Sequence, residues 1–203
     1  MTGLLGKKIG MTQVFSEDGK RVGVTAIEAG PCPVLVVKEK SIQIGFDSVK
    51  ETRVKKPVLG HFKKINVSSR KLIREVSKEP GREYRIGEEL KVDLFKAGDF
   101  VDITSTSKGR GFQGGMKRWH WAGGPRTHGS TSHRRIGSLG SSTTPGRVWK
   151  GHHLPGHMGD ERVTLQNLKV VKIDLENNLL LVKGAVAGYR NSYLVIKKAK
   201  KKK

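Results

Sequence analysis

The middle of this 203-residue chain has no acidic side chain, because neither aspartate nor glutamate occurs between Asp102 and Asp160. The same stretch has only five valine, leucine or isoleucine residues. So little apolar surface cannot offset the conformational entropy that is lost when a chain becomes ordered. These two absences exclude an independent hydrophobic core in this segment. They also exclude any site there that would need a carboxylate of its own.

Cysteine and long apolar runs are also scarce. Cys32 is the only cysteine, so no internal disulfide can form, and we expect it to be a small buried core residue rather than a reactive thiol. The longest apolar runs, such as 34–37 and 179–182, are far below bilayer-spanning length, which argues against a membrane partner. Lys7 and Lys8 interrupt the apolar residues of the first segment, which therefore has no signal-peptide core. We expect a cytoplasmic location.

Glycine, aromatic and basic residues make up much of the acid-free stretch. It holds half of the 26 glycines, all three tryptophans, six of the seven histidines and nine lysine or arginine residues. The whole chain carries a formal net charge of +22, which favours a polyanionic partner. We therefore interpret residues 104–159 as a glycine-rich, basic extension that acquires its shape inside nucleic acid.

The two flanks, 1–103 and 160–203, have the pattern of a mainly β protein with minor α structure. Candidate strands lie at 22–27, 34–38, 41–46, 100–103, 168–174, 179–183 and 193–197. Candidate helices are 56–64, with Pro57 in the first turn, and, more weakly, 69–76. Asn177 and Asn178 suit a hairpin turn. We expect one β-barrel or sandwich built from both chain ends, with a small mixed insertion at about 48–98.

Three smaller features complete the organisation of the flanks. Pro80 and Gly81 predict a break in the chain, and a short β region is expected near 90–95. Residues 197–203 are almost pure lysine and predict a solvated tail that adds unspecific attraction to phosphates.

A dinucleotide-binding fingerprint is matched letter for letter at 109–114. That motif binds pyrophosphate only where a helix begins at the motif, and the following sequence leaves little room for one. Arg134 and Arg135 stand where the ribose-binding acid belongs. We therefore expect no nucleotide cofactor, and we assign the glycines to close backbone approach and positive φ.

The histidines suggest a metal site only at first sight. His153 and His157 have the spacing of two ligands on one helix face, but Pro155 and Gly156 lie between them. No acidic residue in the segment could complete such a site. Serine and threonine are plentiful at 138–144, yet nothing singles out a nucleophile with its base. We expect no metal, no cofactor, no small-molecule substrate and no enzymatic activity.

The extension instead offers groups that suit structured RNA. Arginine and lysine reach phosphates, aromatic rings stack on unstacked bases, and an irregular glycine-rich chain fits crevices of folded RNA better than a regular duplex. The alternative for the tryptophans, a local mini-core that fixes the shape of the loop, remains open. The candidate RNA-binding residues are Lys108, Arg110, Phe112, Gln113, Lys117, Arg118, Trp119, Trp121, Arg126, His128, His133, Arg134, Arg135, Thr144, Arg147, Trp149, Lys150 and His153.

Several longer strings of residues are specific enough to indicate a family. They are MTGLLGKKIGMTQVF at the start, AGPCPV from Ala29, GHF from Gly60, SKGRGFQGGMKRW from Ser107, ERVTLQNLKVV from Glu161 and LLLVKGAVAG from Leu179. In this order and over essentially the whole length, the sequence closely resembles the universal ribosomal protein L-three family in its bacterial form. Among the candidate site residues and their neighbours, those that match the family's motif are Lys108, Arg110, Phe112, Gln113, Lys117, Arg118, His128, Gly129, His133, Arg134, the turn 144–147 and Lys150.

The resemblance implies a structural protein of the large ribosomal subunit. It implies a split β-barrel on the outside of the subunit and a long extension that reaches through the large-subunit, 23S-type RNA toward the peptidyl-transferase centre. It also implies contacts near the 3′ end of that RNA, a role in early assembly, and neighbouring large-subunit proteins as partners. One departure is Thr143, which stands where some bacterial members carry a methylated glutamine. That modification is not expected here.

Two other classes of protein are weighed against this interpretation. Net charge alone would also allow a DNA-compacting architectural protein. An apolar wedge on a regular β-arm would favour DNA, whereas this segment has glycine pairs and irregular spacing. A nuclease or RNA-modifying enzyme would need acid, base and metal groups that the basic region does not contain.

Overall fold

The structure is a computed structural model that describes residues 3–79 and 81–201. In chain order, the elements among these residues are β1 (Gly3–Phe15), β2 (Arg21–Ala29), β3 (Cys32–Val37), β4 (Ser41–Ser48), a 3₁₀ turn (Glu51–Arg53), α1 (Lys56–Lys64), β5 (Arg70–Ser77), β6 (Glu89–Leu90), a second 3₁₀ turn (Val92–Leu94), β7 (Phe100–Thr106), β8 (Gly111–Gln113), α2 (Gly115–Trp119), β9 (Gly156–Met158), β10 (Arg162–Asp174), β11 (Leu179–Lys183) and β12 (Tyr193–Lys198). The expectation of a mainly β protein with minor α structure is confirmed.

Six strands from both ends of the chain form an antiparallel barrel. The order is β1-β12-β7-β10-β11-β2, and β2 pairs back onto β1. Gly3 faces Lys197 across one pair, and Thr106 faces Arg162 across another. Four of the six barrel pairings therefore join a strand that precedes the acid-free segment to a strand that follows it.

A second sheet of four strands, in the order β5-β4-β3-β6, shares the core of the barrel. Ile42, Ile44 and Phe46 of β4 belong to the same buried cluster as Leu4 and Ile196 of the barrel. Apolar side chains alternate along β4 because successive residues of a strand point to opposite faces of the sheet. Burial of this continuous apolar surface is the main favourable contribution to folding of the flanks.

The single cysteine is a core residue, as predicted. Cys32 is fully buried, and its thiol donates a hydrogen bond to the carbonyl oxygen of Leu5 at 3.4 Å. Burial raises the pKa of the Cys32 thiol to about 12, because the thiolate would lose its hydration. The nucleophilic form is therefore suppressed at neutral pH.

The predicted helix at 69–76 is wrong. Arg70–Ser77 is strand β5, which pairs with β4 along its whole length, from Ser48 opposite Arg70 to Ser41 opposite Ser77. Its apolar residues have a helix-like spacing. Backbone hydrogen bonds to the neighbouring strand β4 favour a strand, however, and tertiary pairing of this kind outweighs local helix propensity. The short β region expected near 90–95 is β6 followed by a 3₁₀ turn.

Other local expectations are confirmed, but the lysine tail is shorter than predicted. Helix α1 spans Lys56–Lys64 with proline at its start. In the predicted hairpin turn, Asn178 has φ +51°, and the Asp174 carboxylate accepts hydrogen bonds from the backbone and side chain of Asn177. The predicted lysine tail begins later than residue 197, because β12 continues to Lys198. Pro80 of the predicted break and residues 202–203 of the tail lie outside the described residues.

The chain divides into two compact units. The first comprises residues 1–107 and 162–203, and the second comprises residues 108–161. Neither α1 nor α2, the helices of the described ranges, has the length and apolarity that crossing a membrane would require.

Candidate nucleic-acid interface

The second unit begins and ends with a short antiparallel ladder. β8 pairs with β9, and the amide of Arg110 donates to the carbonyl of Met158 at 2.8 Å. Gly159 has φ +75°, and a Cβ at this position would collide with the carbonyl oxygen of Lys108. Only glycine fits this close approach of two backbones. The ladder thus brings the two ends of the basic segment together.

The fingerprint at 109–114 lacks the strand–turn–helix context that pyrophosphate binding requires. Strand β8 begins inside the motif, at Gly111, whose φ is +66°. The helix that follows, α2, has five residues and ends at Trp119, after which His120 adopts a left-handed conformation. The glycine of the motif therefore serves a backbone bend and a β-ladder.

Side chains of α2 are tied to the chain that precedes β9. The Nη1 atom of Arg118 and the Nε1 atom of Trp119 each donate to the carbonyl oxygen of Leu154 at 2.8 Å. The ring of Trp119 stacks on that of His153, with centroids 4.1 Å apart and planes 5° apart. The Arg118 guanidinium lies over the Trp119 ring at 4.9 Å. We refer to these four residues as the Leu154 clasp.

The aromatic residues of the unit fall into two groups. Trp119 is held in the Leu154 clasp, and Trp121 packs against Gly115, where a Cβ would collide with the indole. Both tryptophans thus make contacts within the unit, and their stacking on bases stays a prediction. Phe112 and Trp149 are 77% and 62% exposed, so most of their surface is available to a partner.

Burial confirms that this unit has no hydrophobic core. Gly115 is its only buried residue, and all residues 108–161 are described. Most candidate site residues are exposed on this unit: Lys108, Arg110, Phe112, Lys117, Trp119, Arg126, His128, His133, Arg134, Arg135, Thr144, Arg147, Trp149, Lys150 and His153. Gln113, Arg118 and Trp121 are half-buried.

Between α2 and β9 the backbone folds back on itself. The amide of Gly124 donates to the carbonyl of His133 at 3.1 Å, and the Nδ1 atom of His133 lies 2.9 Å from the carbonyl oxygen of Pro125. Further along, the Arg147 guanidinium lies 5.6 Å from the centroid of the Trp149 ring. These contacts orient some of the cationic and imidazole groups, although the unit lacks a core.

The two histidines with metal-like spacing do not share a helix. His157 lies in β9, where it faces Phe112, and His153 stacks on Trp119. Across residues 3–79 and 81–201, no group of three or more histidine, cysteine, aspartate or glutamate side chains is placed to hold a metal ion. His153 contributes a ring face, and His133 contributes a ring nitrogen within hydrogen-bonding distance of Pro125.

The sequence pattern did not select every residue that the fold brings together. Ser132 and Ser138 line a cavity of this unit with Trp121 and Arg135. Their residue types are ordinary for a polar loop, so no composition or spacing signal distinguishes them. Only the return of the chain toward β9 makes them neighbours.

A β-barrel that carries an inserted unit of exposed cations and aromatic rings has the chemistry of a nucleic-acid-binding protein. The sequence profile of the family described as ribosomal protein L3 matches residues 82–177. Large ribosomal subunit protein uL3 of Brachyspira pilosicoli is 49% identical over all of this chain and 96% of its own length. The protein of that name from Carboxydothermus hydrogenoformans is 51% identical, with 99% of each chain covered.

The chain therefore belongs to the family of large ribosomal subunit protein uL3. As a member of a family of structural ribosomal proteins, it is not an enzyme.

Proposed function

We propose that this chain is a structural component of the large subunit of the cytoplasmic ribosome and binds 23S-type ribosomal RNA near its 3′ end. In this proposal it nucleates early subunit assembly, and residues 104–159 extend through the RNA toward the peptidyl-transferase centre. Neighbouring large-subunit proteins are its other partners. Family membership and the resemblance of the motifs at 107–119 and 144–147 support these assignments.

The main support for the proposal is the composition and exposure of the unit 108–161. It combines nine basic residues with a complete lack of acidic residues up to Asp160, and Gly115 is its only buried residue. Such a chain cannot neutralise its own charge or bury its own apolar surface. RNA phosphates supply the counter-charge, and RNA crevices supply the missing contact surface.

The site residues divide by what their contacts leave available. Phe112 and Trp149 offer exposed rings to unstacked bases, which typically contribute ~1–3 kcal/mol each. The exposed arginines and lysines neutralise phosphates, and arginine adds a planar fork for two phosphate oxygens. Arg118 and Trp119 act as positioning residues, because both are bonded to the carbonyl of Leu154. Thr143 offers a hydroxyl where the family resemblance implies a glutamine amide in some bacterial members.

A salt titration tests the proposal. The full chain is bound to a large-subunit RNA fragment and, as the control, to duplex DNA of equal charge. We expect tighter binding to RNA, with a log–log salt slope of about −4 or steeper, which corresponds to roughly six phosphate contacts. Equal affinity for the duplex would favour a DNA-compacting protein. An RNA affinity that hardly changes with salt would contradict the electrostatic account.

A further inference from the structure

The chain between α2 and β9 lines an open cavity of about 440 Å³. This volume lies in the range of small-ligand sites, roughly 300–1,000 Å³. Trp121, Arg135, His152 and His153 are among the residues that line it. The cavity lies wholly within the unit 108–161, so its shape depends on this unit alone.

One wall of the cavity is fixed by paired backbone. The amide of Gly124 donates to the carbonyl of His133, and a Cβ on Gly124 would collide with the carbonyl oxygen of Ser132. Gly123 has φ +76°, and a Cβ on it would lie 2.6 Å from the carbonyl oxygen of His133. Two adjacent positions thus admit only glycine. The wall is a specific close approach of two chain segments.

The groups around the cavity match the chemistry of a nucleobase. An indole and two imidazoles provide flat faces for stacking, and Arg135 and Ser138 provide hydrogen-bond donors for a base edge. His153 already stacks on Trp119, so a base against its other face would lengthen an existing stack. A phosphate would gain little from three aromatic rings, whereas a base uses both the rings and the donors.

We propose that this cavity, which we call the base pocket, receives one unstacked nucleobase of the bound RNA. The inference rests on the proposed function, because it names where within the RNA interface a base is held. The Leu154 clasp then has a defined role, which is to hold His153 at the edge of the base pocket. Recognition is by stacking and base-edge hydrogen bonds, and it is separate from the phosphate contacts on the rest of the unit.

A pocket-filling substitution tests the base pocket in the full chain. A side chain at Gly137, which lines the cavity, would meet no atom within 4 Å of its Cβ, and this backbone has no positive φ. Gly137→Leu therefore adds a large apolar side chain to the cavity lining without backbone strain. Gly114→Leu is the matched control, because Gly114 is equally open and lies outside the cavity lining.

Both variants and the unaltered chain are bound to a large-subunit RNA fragment and irradiated with ultraviolet light, and cross-linked peptides are mapped by mass spectrometry. We expect a nucleotide adduct on Trp121, His152 or His153 in the unaltered chain and in Gly114→Leu. We expect Gly137→Leu to lose the adduct and to bind roughly 5- to 140-fold more weakly, the factor that one stacked base contributes. Its salt slope should stay unchanged, because the same phosphates are neutralised.

Three results would overturn the base pocket. RNA binding with normal salt dependence but without an adduct on those rings would remove it and leave the proposed function standing. A weakened Gly137→Leu variant with a shallower salt slope would assign a phosphate to the cavity. Equal weakening by Gly114→Leu, with the adduct kept in Gly137→Leu, would show that the cavity does not hold the cross-linked base. If the unaltered chain failed to bind RNA at all, the proposed function would fail as well.

Discussion

Lys8 is a charged residue in the core of the first unit. Its side chain is 9% exposed, and its Nζ atom donates to the carbonyl oxygens of Val186 at 2.7 Å and Gly188 at 3.1 Å. Its backbone also pairs with the same loop, because its amide donates to Ser192 and its carbonyl accepts from Asn191. The ammonium therefore fastens the loop between β11 and β12 to strand β1.

Replacement of Lys8 by methionine should destabilise the barrel. Methionine fills a similar volume but leaves two buried carbonyl oxygens without their donor. We expect the free energy of unfolding in urea to fall by about 1–3 kcal/mol. Lys20→Met, at an exposed position before β2, is the control and should change stability by less than about 0.5 kcal/mol. Equal stability of the two variants would mean that dehydration of the Lys8 ammonium cancels its hydrogen bonds.

At the scale of elements, the sequence predicted strands wherever β-branched residues form compact runs. Predicted strand 179–183 coincides with β11, and 22–27, 41–46 and 193–197 lie within observed strands. Strand β1 was not predicted, because Gly3, Gly6 and Gly10 interrupt its apolar residues. Gly3 and Gly6 are explained only by the fold, since a Cβ on either would press against a carbonyl oxygen of β12 or β2. Such tertiary contacts leave no local signal.

For the candidate interface, composition predicted the overall character of the unit but not the contacts of individual side chains. The absence of acids and aliphatics correctly indicated a cationic unit without a core. It could not show that Arg118 and Trp119 share one carbonyl acceptor, because Leu154 lies 35 residues beyond Trp119. The assignment of individual residues to RNA contacts stays a prediction.

Removal of the inserted unit should leave the barrel intact. Thr106 and Arg162 face each other across β7 and β10, so a short Gly/Ser linker in place of residues 108–159 closes an ordinary hairpin. We expect β-type circular dichroism, cooperative unfolding in urea and weaker RNA binding. The salt slope should become shallower by roughly 0.7–0.9 for each RNA phosphate that the shortened chain no longer neutralises. Disappearance of the β signal would show instead that this unit is needed to fold the barrel.

At the scale of the whole molecule, the two units differ in what stabilises them. The first has a continuous apolar core in which Leu4, Ile42 and Leu194 are fully buried. The second depends on a β-ladder, the Leu154 clasp and close glycine packing. Local opening requires less free energy where little buried apolar surface becomes exposed to water. We therefore expect the second unit of the free protein to open more readily.

Brief digestion with trypsin should detect this difference. We expect the free chain to be cut first within the second unit, with the flanking fragments still associated through the pairs β1–β12 and β7–β10. The expected targets are Lys108, Arg110, Lys117, Arg118, Arg134, Arg135, Arg147 and Lys150.

Protection within the subunit is the second half of this prediction. The bond after Arg147 should resist cleavage once the protein is in the large subunit, because the proposed function surrounds that turn with RNA. Sites in the β1–β2 turn, such as Lys20, serve as the control for general access of the protease. Cleavage after Arg147 at one rate in free and subunit-bound protein would contradict an extension threaded into RNA.

The strand order of the barrel also determines when the strands can pair during synthesis of the chain. Strands β1, β2 and β7 are synthesised before the extension, but their partners β12, β11 and β10 come after it. At ~5–20 residues per second, Gly3 waits on the order of 10–40 seconds for its partner Lys197. The cationic segment leaves the synthesising ribosome within that interval, while strand edges are still open. An RNA that bound the cationic segment during this interval would bind an incompletely synthesised protein. The last strands of the barrel would then pair in a chain that is already bound to RNA.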